Sequence, residues 1–207
     1  EAFRKEWENY YGFPWRPQHE SPQNTYLSNK LKYLMYYNAL NEVFSYAKEY
    51  GKSKGMNVRY YVPTHSLLNY SSWEIVSPEA SLASLPCVDG YIGQIWTGTA
   101  RTANYFNGVK KERTFETALL EYNCMESMVK PTGRKVIFLT DPIEDSAKDW
   151  GDYKRNYEAT FTAKLLFPEV DNYEVMPWPD RIYEGLYKNP VTGTREKIPQ
   201  KYSTQMQ

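Results

Sequence analysis

The sequence contains few of the residues that build metal centres or disulfide frameworks. Two cysteines and two histidines occur among its 207 residues. Cys87 and Cys124 lie far apart in apolar surroundings, without the spacing of metal ligands, and this favours buried free thiols over a disulfide. We therefore expect no metal site and no cofactor.

An excess of charge and a long apolar run are also absent from the sequence. The 25 basic and 25 acidic residues cancel, which removes the electrostatic case for binding nucleic acid or an anionic membrane. No apolar run approaches the ~20 residues that a membrane-spanning helix requires. Neither nucleic acid nor a membrane is expected as a partner.

Motifs for nucleotide binding and for serine hydrolysis are missing as well. No G-x-G-x-x-G and no P-loop follows an apolar run, which argues against a nucleotide-binding fold. No G-x-S-x-G occurs, so serine hydrolase chemistry is not expected. Aromatic residues, in contrast, are abundant, with 20 Tyr, 6 Trp and 8 Phe. Tyr and Trp combine an apolar face with a polar group, which suits sugar or peptide surfaces as well as ordinary cores.

The N-terminal third of the chain has the pattern of two helices. Phe3, Trp7 and Tyr10 repeat at helical spacing from the first residues, so we interpret the chain as beginning within a domain. Ser21 followed by Pro22 is typical of a helix start, and the long amphipathic helix that follows is expected to end at Gly51.

Four strands alternate with helices in the rest of the chain. Within the run Lys135–Thr140, Val136 to Leu139 are continuously apolar, which is typical of a strand covered on both faces. Three further strands are predicted, and helices precede and follow the run at 135. Such alternation predicts a parallel sheet with βαβ crossovers. The predicted strands lie near 57–64, 88–97, 135–140 and 172–178.

This spacing fits half of a (β/α)8 barrel, with a doubly wound sheet as the rival fold. We therefore predict an α/β fold of parallel-strand units, resembling a TIM barrel but partial. Residues 1–207 are expected to form a single partial barrel domain, in which 185–207 is a loop-rich tail.

Polar and aromatic residues close or follow each predicted strand. Because the carboxyl ends of parallel strands meet at one edge, we expect these side chains to share a site. The candidate catalytic carboxylates are Asp141, Glu144 and Asp145. The candidate substrate-binding residues are His65, Asn69, Trp96, Arg101, Trp178 and Asp180.

Structural roles are open for several of these residues. Glu144 and Asp145 also fit the negative charge favoured at a helix N-terminus. Asp141 precedes a proline, as turn-forming aspartates do. A capping role is open for His65, and the two tryptophans suit packing as well as sugar stacking.

The order of strand-end segments resembles a known family of barrel enzymes. The relevant segments are Pro63-Thr64-His65-Ser66, Asp89 with Trp96, Phe138-Leu139-Thr140-Asp141, and Val175-Met176-Pro177-Trp178. Together they are similar to the C-terminal half of the catalytic barrel of family 42-type β-galactosidases. The resemblance implies that Asp141 is the nucleophile, and that the acid/base Glu lies upstream of Glu1. The family has Glu at the nucleophile position. The side chain of Asp141 is one methylene shorter, so on an unchanged backbone its carboxylate would fall ~1.5 Å short. Glu144 or Asp145 could then substitute for it.

The resemblance predicts a glycoside hydrolase that acts on a carbohydrate through two carboxylates. Two alternatives remain, namely a non-catalytic carbohydrate-binding barrel and a scaffold fragment that completes its barrel with a second chain. A half barrel leaves two strand edges unpaired, so a partner half-barrel or a homo-oligomer is expected. If the resemblance holds, a periplasmic or secreted location is open, but the sequence does not decide the compartment.

Overall fold

The fold combines helices with a parallel sheet, and the chain divides into two units. The structure is a computed structural model, and it describes residues 1–64, 83–95, 103–140, 149–174, 183–189 and 191–206. The first unit comprises Glu1–Tyr60 with Trp73–Val88, and the second comprises Tyr61–Ser72 with Asp89–Gln207. The prediction of one domain over the whole chain stays a prediction.

The first unit begins with helix α1 (Ala2–Tyr11), which ends at Gly12 in the left-handed conformation at φ 74°. Trp7 is fully buried, and its ring lies 4.8 Å from that of Tyr11 and 5.7 Å from that of Phe13. The apolar residues spaced along α1 and the turn after it therefore pack around one indole.

The long helix α2 (Pro22–Ser53) has the start that the sequence predicts. The Ser21 hydroxyl accepts a hydrogen bond from the Asn24 amide at 3.1 Å, and Pro22 occupies the first turn. The helix continues past Gly51, where it was expected to end. A Cβ at Gly51 would lie 2.9 Å from Cγ2 of Val58, so close packing accounts for this glycine.

Among the residues that the structure describes, the second unit contains the parallel sheet, three α-helices and two hairpins. In chain order, its elements are β1 (Tyr61–Thr64), β2 (Gly90–Gln94), β3 (Asn104–Phe106), β4 (Val109–Lys111), α3 (Thr114–Val129), β5 (Lys135–Leu139), α4 (Trp150–Lys164), β6 (Tyr173–Glu174), β7 (Leu186–Lys188), β8 (Arg195–Lys197) and α5 (Gln200–Met206). The sheet order is β1-β2-β5-β6, and all three neighbouring pairs are parallel. The predicted parallel α/β arrangement is confirmed.

Helix α3 covers one face of the sheet. Phe138 of β5 is fully buried, and its ring meets that of Tyr122 on α3 edge-on at 4.8 Å. Tyr122 also donates a hydrogen bond to the Tyr173 hydroxyl at 2.8 Å. Helix α4 packs against α3 and is capped by Asp149, whose carboxylate accepts from the Asp152 amide at 2.8 Å.

The opposite face of the sheet is covered less completely. Strand residues alternate between the two faces, so Ile92, Ile137 and Leu139 lie on the face away from Phe138. All three are only half-buried. The run at 135 was expected to be buried on both faces, but among the residues of β5 only Phe138 is buried. The reason is that α3 lies on the other side of the strand.

Two hairpins differ from what the sequence predicted. Residues 185–207 were expected to be loop, but they contain the β7–β8 hairpin and helix α5. The β3–β4 hairpin was not anticipated either. The two cysteines are free thiols, half-buried rather than buried. In the part of the chain that the structure describes, no helix combines the length and the hydropathy needed to cross a bilayer.

Candidate functional site

The four strands of the parallel sheet end in line with one another. Thr64 of β1 pairs with Gly93, one residue before the end of β2. Gln94, the last residue of β2, pairs with Leu139, the last residue of β5. Leu139 pairs in turn with Glu174 at the end of β6. Because the strands are parallel and in register, their carboxyl ends form a single edge.

Each of the nine predicted site residues follows one of these strand ends. His65 and Asn69 follow β1, Trp96 and Arg101 follow β2, and the other five follow β5 and β6. All nine lie outside the residues that the structure describes, so their mutual distances stay predictions. The residues that follow β5 are Asp141, Glu144 and Asp145, and those that follow β6 are Trp178 and Asp180.

Gln94 is the described polar residue best placed at this edge. It ends β2 on the half-buried face of the sheet, together with Leu139. Its side-chain oxygen Oε1 is buried, and it has no hydrogen-bond partner among the described residues. A buried acceptor of this kind normally has a partner. Gln94 is not among the predicted site residues, because the predicted strand extended to residue 97 and placed Gln94 in its interior, whereas β2 ends at Gln94.

Two threonines at the same edge belong to the core. Thr64 and Thr140 are 4% and 0% exposed, respectively. The Thr64 hydroxyl donates to the Ile92 carbonyl at 3.4 Å and lies 3.9 Å from the Met125 sulfur on α3. Its side chain therefore points to the face that α3 covers, away from the face of Gln94.

A strongly perturbed carboxyl lies on α3. Glu121 is 1% exposed, and burial raises the pKa of its carboxyl well above the ordinary value. Burial, followed by the charge of Glu121, also raises the pKa of the Cys124 thiol. Both groups belong to a helix rather than to the strand ends. Among the described residues, no three metal-ligating side chains form a group that could hold an ion.

Comparisons with known proteins found no relative of this chain. No family model, no curated protein and no solved structure matches the chain. The resemblance to barrel glycosidases therefore rests on the strand-end segments themselves, and what it implies for activity is a proposal.

Proposed function

We propose that the second unit is part of a (β/α)8-type barrel of the glycoside hydrolase kind. In this proposal, a carbohydrate binds at the carboxyl edge of β1, β2, β5 and β6. Asp141 supplies the carboxylate that attacks the sugar. The observation that carries the proposal is the common edge at which the four strands end, because every candidate residue follows one of those ends.

The strand order supports a barrel over a doubly wound sheet. The order in space, β1-β2-β5-β6, is also the order along the chain. In a (β/α)8 barrel, consecutive parallel strands are neighbours all the way round. In a doubly wound sheet, the order reverses at a switch point, which is where the ligand binds.

The half-buried face supports the same conclusion. In a (β/α)8 barrel, helices cover the outside of the strands and apolar side chains fill the interior. Here α3 covers one face, while the apolar residues Ile92, Ile137 and Leu139 stay half-exposed on the other. If four of the eight strands of a barrel are present, the apolar residues of its interior face would be half-exposed in this way.

The alternation along β5 supports the choice of Asp141. Leu139 and Gln94 are paired and share the inner face of the proposed barrel. Since strand residues repeat every two positions, a continuation of β5 would give Asp141 the same face as Leu139. The side-chain oxygen of Gln94, which has no hydrogen-bond partner among the described residues, would then border the sugar site and accept a hydrogen bond from a hydroxyl group.

The proposed reaction is a nucleophilic displacement at the anomeric carbon. One carboxylate oxygen of Asp141 bonds to that carbon, and the bond to the leaving group breaks as a separate acid protonates the leaving oxygen. Water then hydrolyses the glycosyl ester. Two inversions at the same carbon give net retention of configuration.

Covalent labelling with 2-deoxy-2-fluoroglycosyl fluorides tests this role. Fluoride leaves without protonation, so the reagent requires the nucleophile but not the acid. We expect one glycosyl group per chain, mapped by peptide mass spectrometry to Asp141. Asp141→Asn should abolish the adduct, whereas the matched control Asp145→Asn should retain it.

Two results would overturn the proposal. One is the absence of an adduct with every member of a panel of gluco-, galacto-, manno- and xylo-configured reagents. The other is an adduct that maps elsewhere, including to Glu144 or Asp145.

A further inference from the structure

The β3–β4 hairpin is a short, well-defined arm in the connection between β2 and α3. Phe106 pairs with Val109 across a two-residue loop. Asn107 and Gly108 in that loop have φ of 50° and 75°, which is the type I′ turn that matches the twist of a hairpin. The arm is therefore held in one conformation by its own turn.

The hairpin exposes large apolar side chains to solvent. Tyr105 is 72% exposed and Phe106 is 64% exposed. An isolated two-stranded hairpin gains little stability by itself. Because successive strand residues point to opposite faces, Tyr105 and Phe106 present their rings on different faces of this arm of six strand residues.

Each ring has a cation beside it, but the two cations differ. Lys110 pairs across the strands with Tyr105, and its Nζ lies 5.6 Å from the centre of that ring. Arg113 lies 5.6 Å from the Phe106 ring, and its guanidinium donates to the carbonyls of Lys111 and Val109. The arginine therefore supports the hairpin, whereas Lys110 forms no ion pair with any described residue.

The hairpin also follows the carboxyl end of β2. Only residues 95–103 separate the end of β2 from β3, so the arm belongs to the connection that starts at the edge of the proposed sugar site. Residues 103–113 contain the cations Lys110, Lys111 and Arg113 against one carboxylate, Glu112. Of these charged groups, only Lys110 pairs with Tyr105 and shares its face, whereas Arg113 lies against Phe106. The face of Tyr105 thus combines an aromatic ring with one ammonium group.

We propose that the Tyr105–Lys110 face binds an acidic polysaccharide, a chain whose sugars carry carboxylate or sulfate groups. The apolar face of a pyranose stacks on the Tyr105 ring, and the acidic group pairs with the Lys110 ammonium. This inference rests on the proposed function, because it extends that sugar site along the β2–α3 connection. Nucleic acid is a weaker fit, since the chain as a whole carries no net positive charge.

Calorimetric titration of the chain with four polymers tests the proposal. The polymers are polygalacturonate, a sulfated galactan, neutral galactan and single-stranded DNA. We expect the two acidic polysaccharides to bind, with affinity that falls as salt rises. Whichever of the two binds more tightly identifies the acidic group. Neutral galactan or DNA bound as tightly as both acidic polysaccharides would overturn the proposal.

Point variants locate the binding on the hairpin. Tyr105→Ala and Lys110→Glu should each weaken binding about tenfold. The controls are Tyr46→Ala, at a tyrosine that is 70% exposed on α2, and Lys5→Glu on α1, and both should bind like the wild type. Circular dichroism verifies that every variant is folded. Unchanged affinity in both hairpin variants would overturn the proposal.

The labelling experiment separates this inference from the proposed function. In the proposed function a monosaccharide reagent requires only the Asp141 site, so Tyr105→Ala should leave the adduct yield unchanged. If labelling fails but the polymers still bind in a way that depends on the hairpin, only the role of Asp141 as nucleophile is refuted. Normal labelling, together with polymer binding that is unchanged by the substitutions of Tyr105 and Lys110, would refute the hairpin binding site alone.

Discussion

Individual residues set how closely the strands of the sheet approach one another, and Gly90 is the clearest case. A Cβ at this position would lie 2.3 Å from the Lys135 carbonyl oxygen and 2.8 Å from the Tyr61 ring. The carbonyl is backbone of the neighbouring strand and cannot rotate away. We therefore expect Gly90→Ala to lower the free energy of unfolding by ~3 kcal/mol, measured by urea denaturation.

Gly93, on the same strand, provides the matched control. A Cβ there would lie 3.2 Å from the Phe138 ring and 3.3 Å from the Met125 side chain. Side chains can shift by the few tenths of an ångström required, and methionine is especially adaptable. Gly93→Ala should cost less than ~1.5 kcal/mol. Equal losses in the two variants would contradict the strand packing described here.

The buried carboxyl of Glu121 predicts a pH dependence of stability. Burial raises its pKa above the ordinary value of 4.5 in the folded state only, so the folded protein binds this proton more tightly than the unfolded chain. The free energy of unfolding must then fall as pH rises above about 4.5, up to the folded pKa.

The variant Glu121→Gln removes this titration while keeping the size of the side chain. We expect it to be more stable than the wild type at pH 8, with the difference disappearing near pH 4, as measured by urea denaturation at both pH values. Glu116→Gln, at an exposed position on the same helix, is the control and should show no such difference. A stability difference for Glu121→Gln that is independent of pH would contradict the account.

At the scale of elements, the start of α2 depends on a single side chain. The Ser21 hydroxyl satisfies the Asn24 amide, one of the helix's first N–H groups. We expect Ser21→Ala to lower the free energy of unfolding by ~1 kcal/mol. The control is Ser53→Ala, at the last residue of α2, where the hydroxyl donates to the exposed Tyr50 carbonyl. A loss at Ser53 as large as that at Ser21 would argue against the cap.

Elements whose signals are local could be predicted from the sequence, and Ser21-Pro22 is one of them. The Asn107-Gly108 pair is a comparable local signal for a hairpin, although the β3–β4 hairpin is not among the predicted elements. The predicted helix end at Gly51 was wrong. A small residue is required there because Val58 packs against it, and the helical pattern does not reveal this contact.

The candidate site, too, could be predicted from the sequence only in part. That polar residues follow four strand ends is visible in the sequence, and the shared edge follows from parallel pairing. The register that joins Gln94 to Leu139 depends on hydrogen bonds between distant segments, so the sequence alone could not select Gln94.

At the scale of the whole molecule, the described sheet has two unpaired edges. Strand β1 pairs only with β2, and β6 pairs only with β5. Exposed edges recruit further strands, and a closed barrel would supply them. We therefore expect the chain to self-associate, with a weight-average mass in analytical ultracentrifugation that rises with protein concentration. A single monomeric species at all concentrations would contradict the partial-barrel account.

The central claim is that a sugar is held by Asp141 at the carboxyl edge of the parallel strands. A crystal structure of the chain after reaction with its 2-deoxy-2-fluoroglycosyl fluoride tests this most directly. We predict that the anomeric carbon is bonded to the Asp141 carboxylate, with the sugar on the face of Gln94 and Leu139. A sugar on the α3 face, or Asp141 and Trp178 opening onto opposite sides of the molecule, would contradict it.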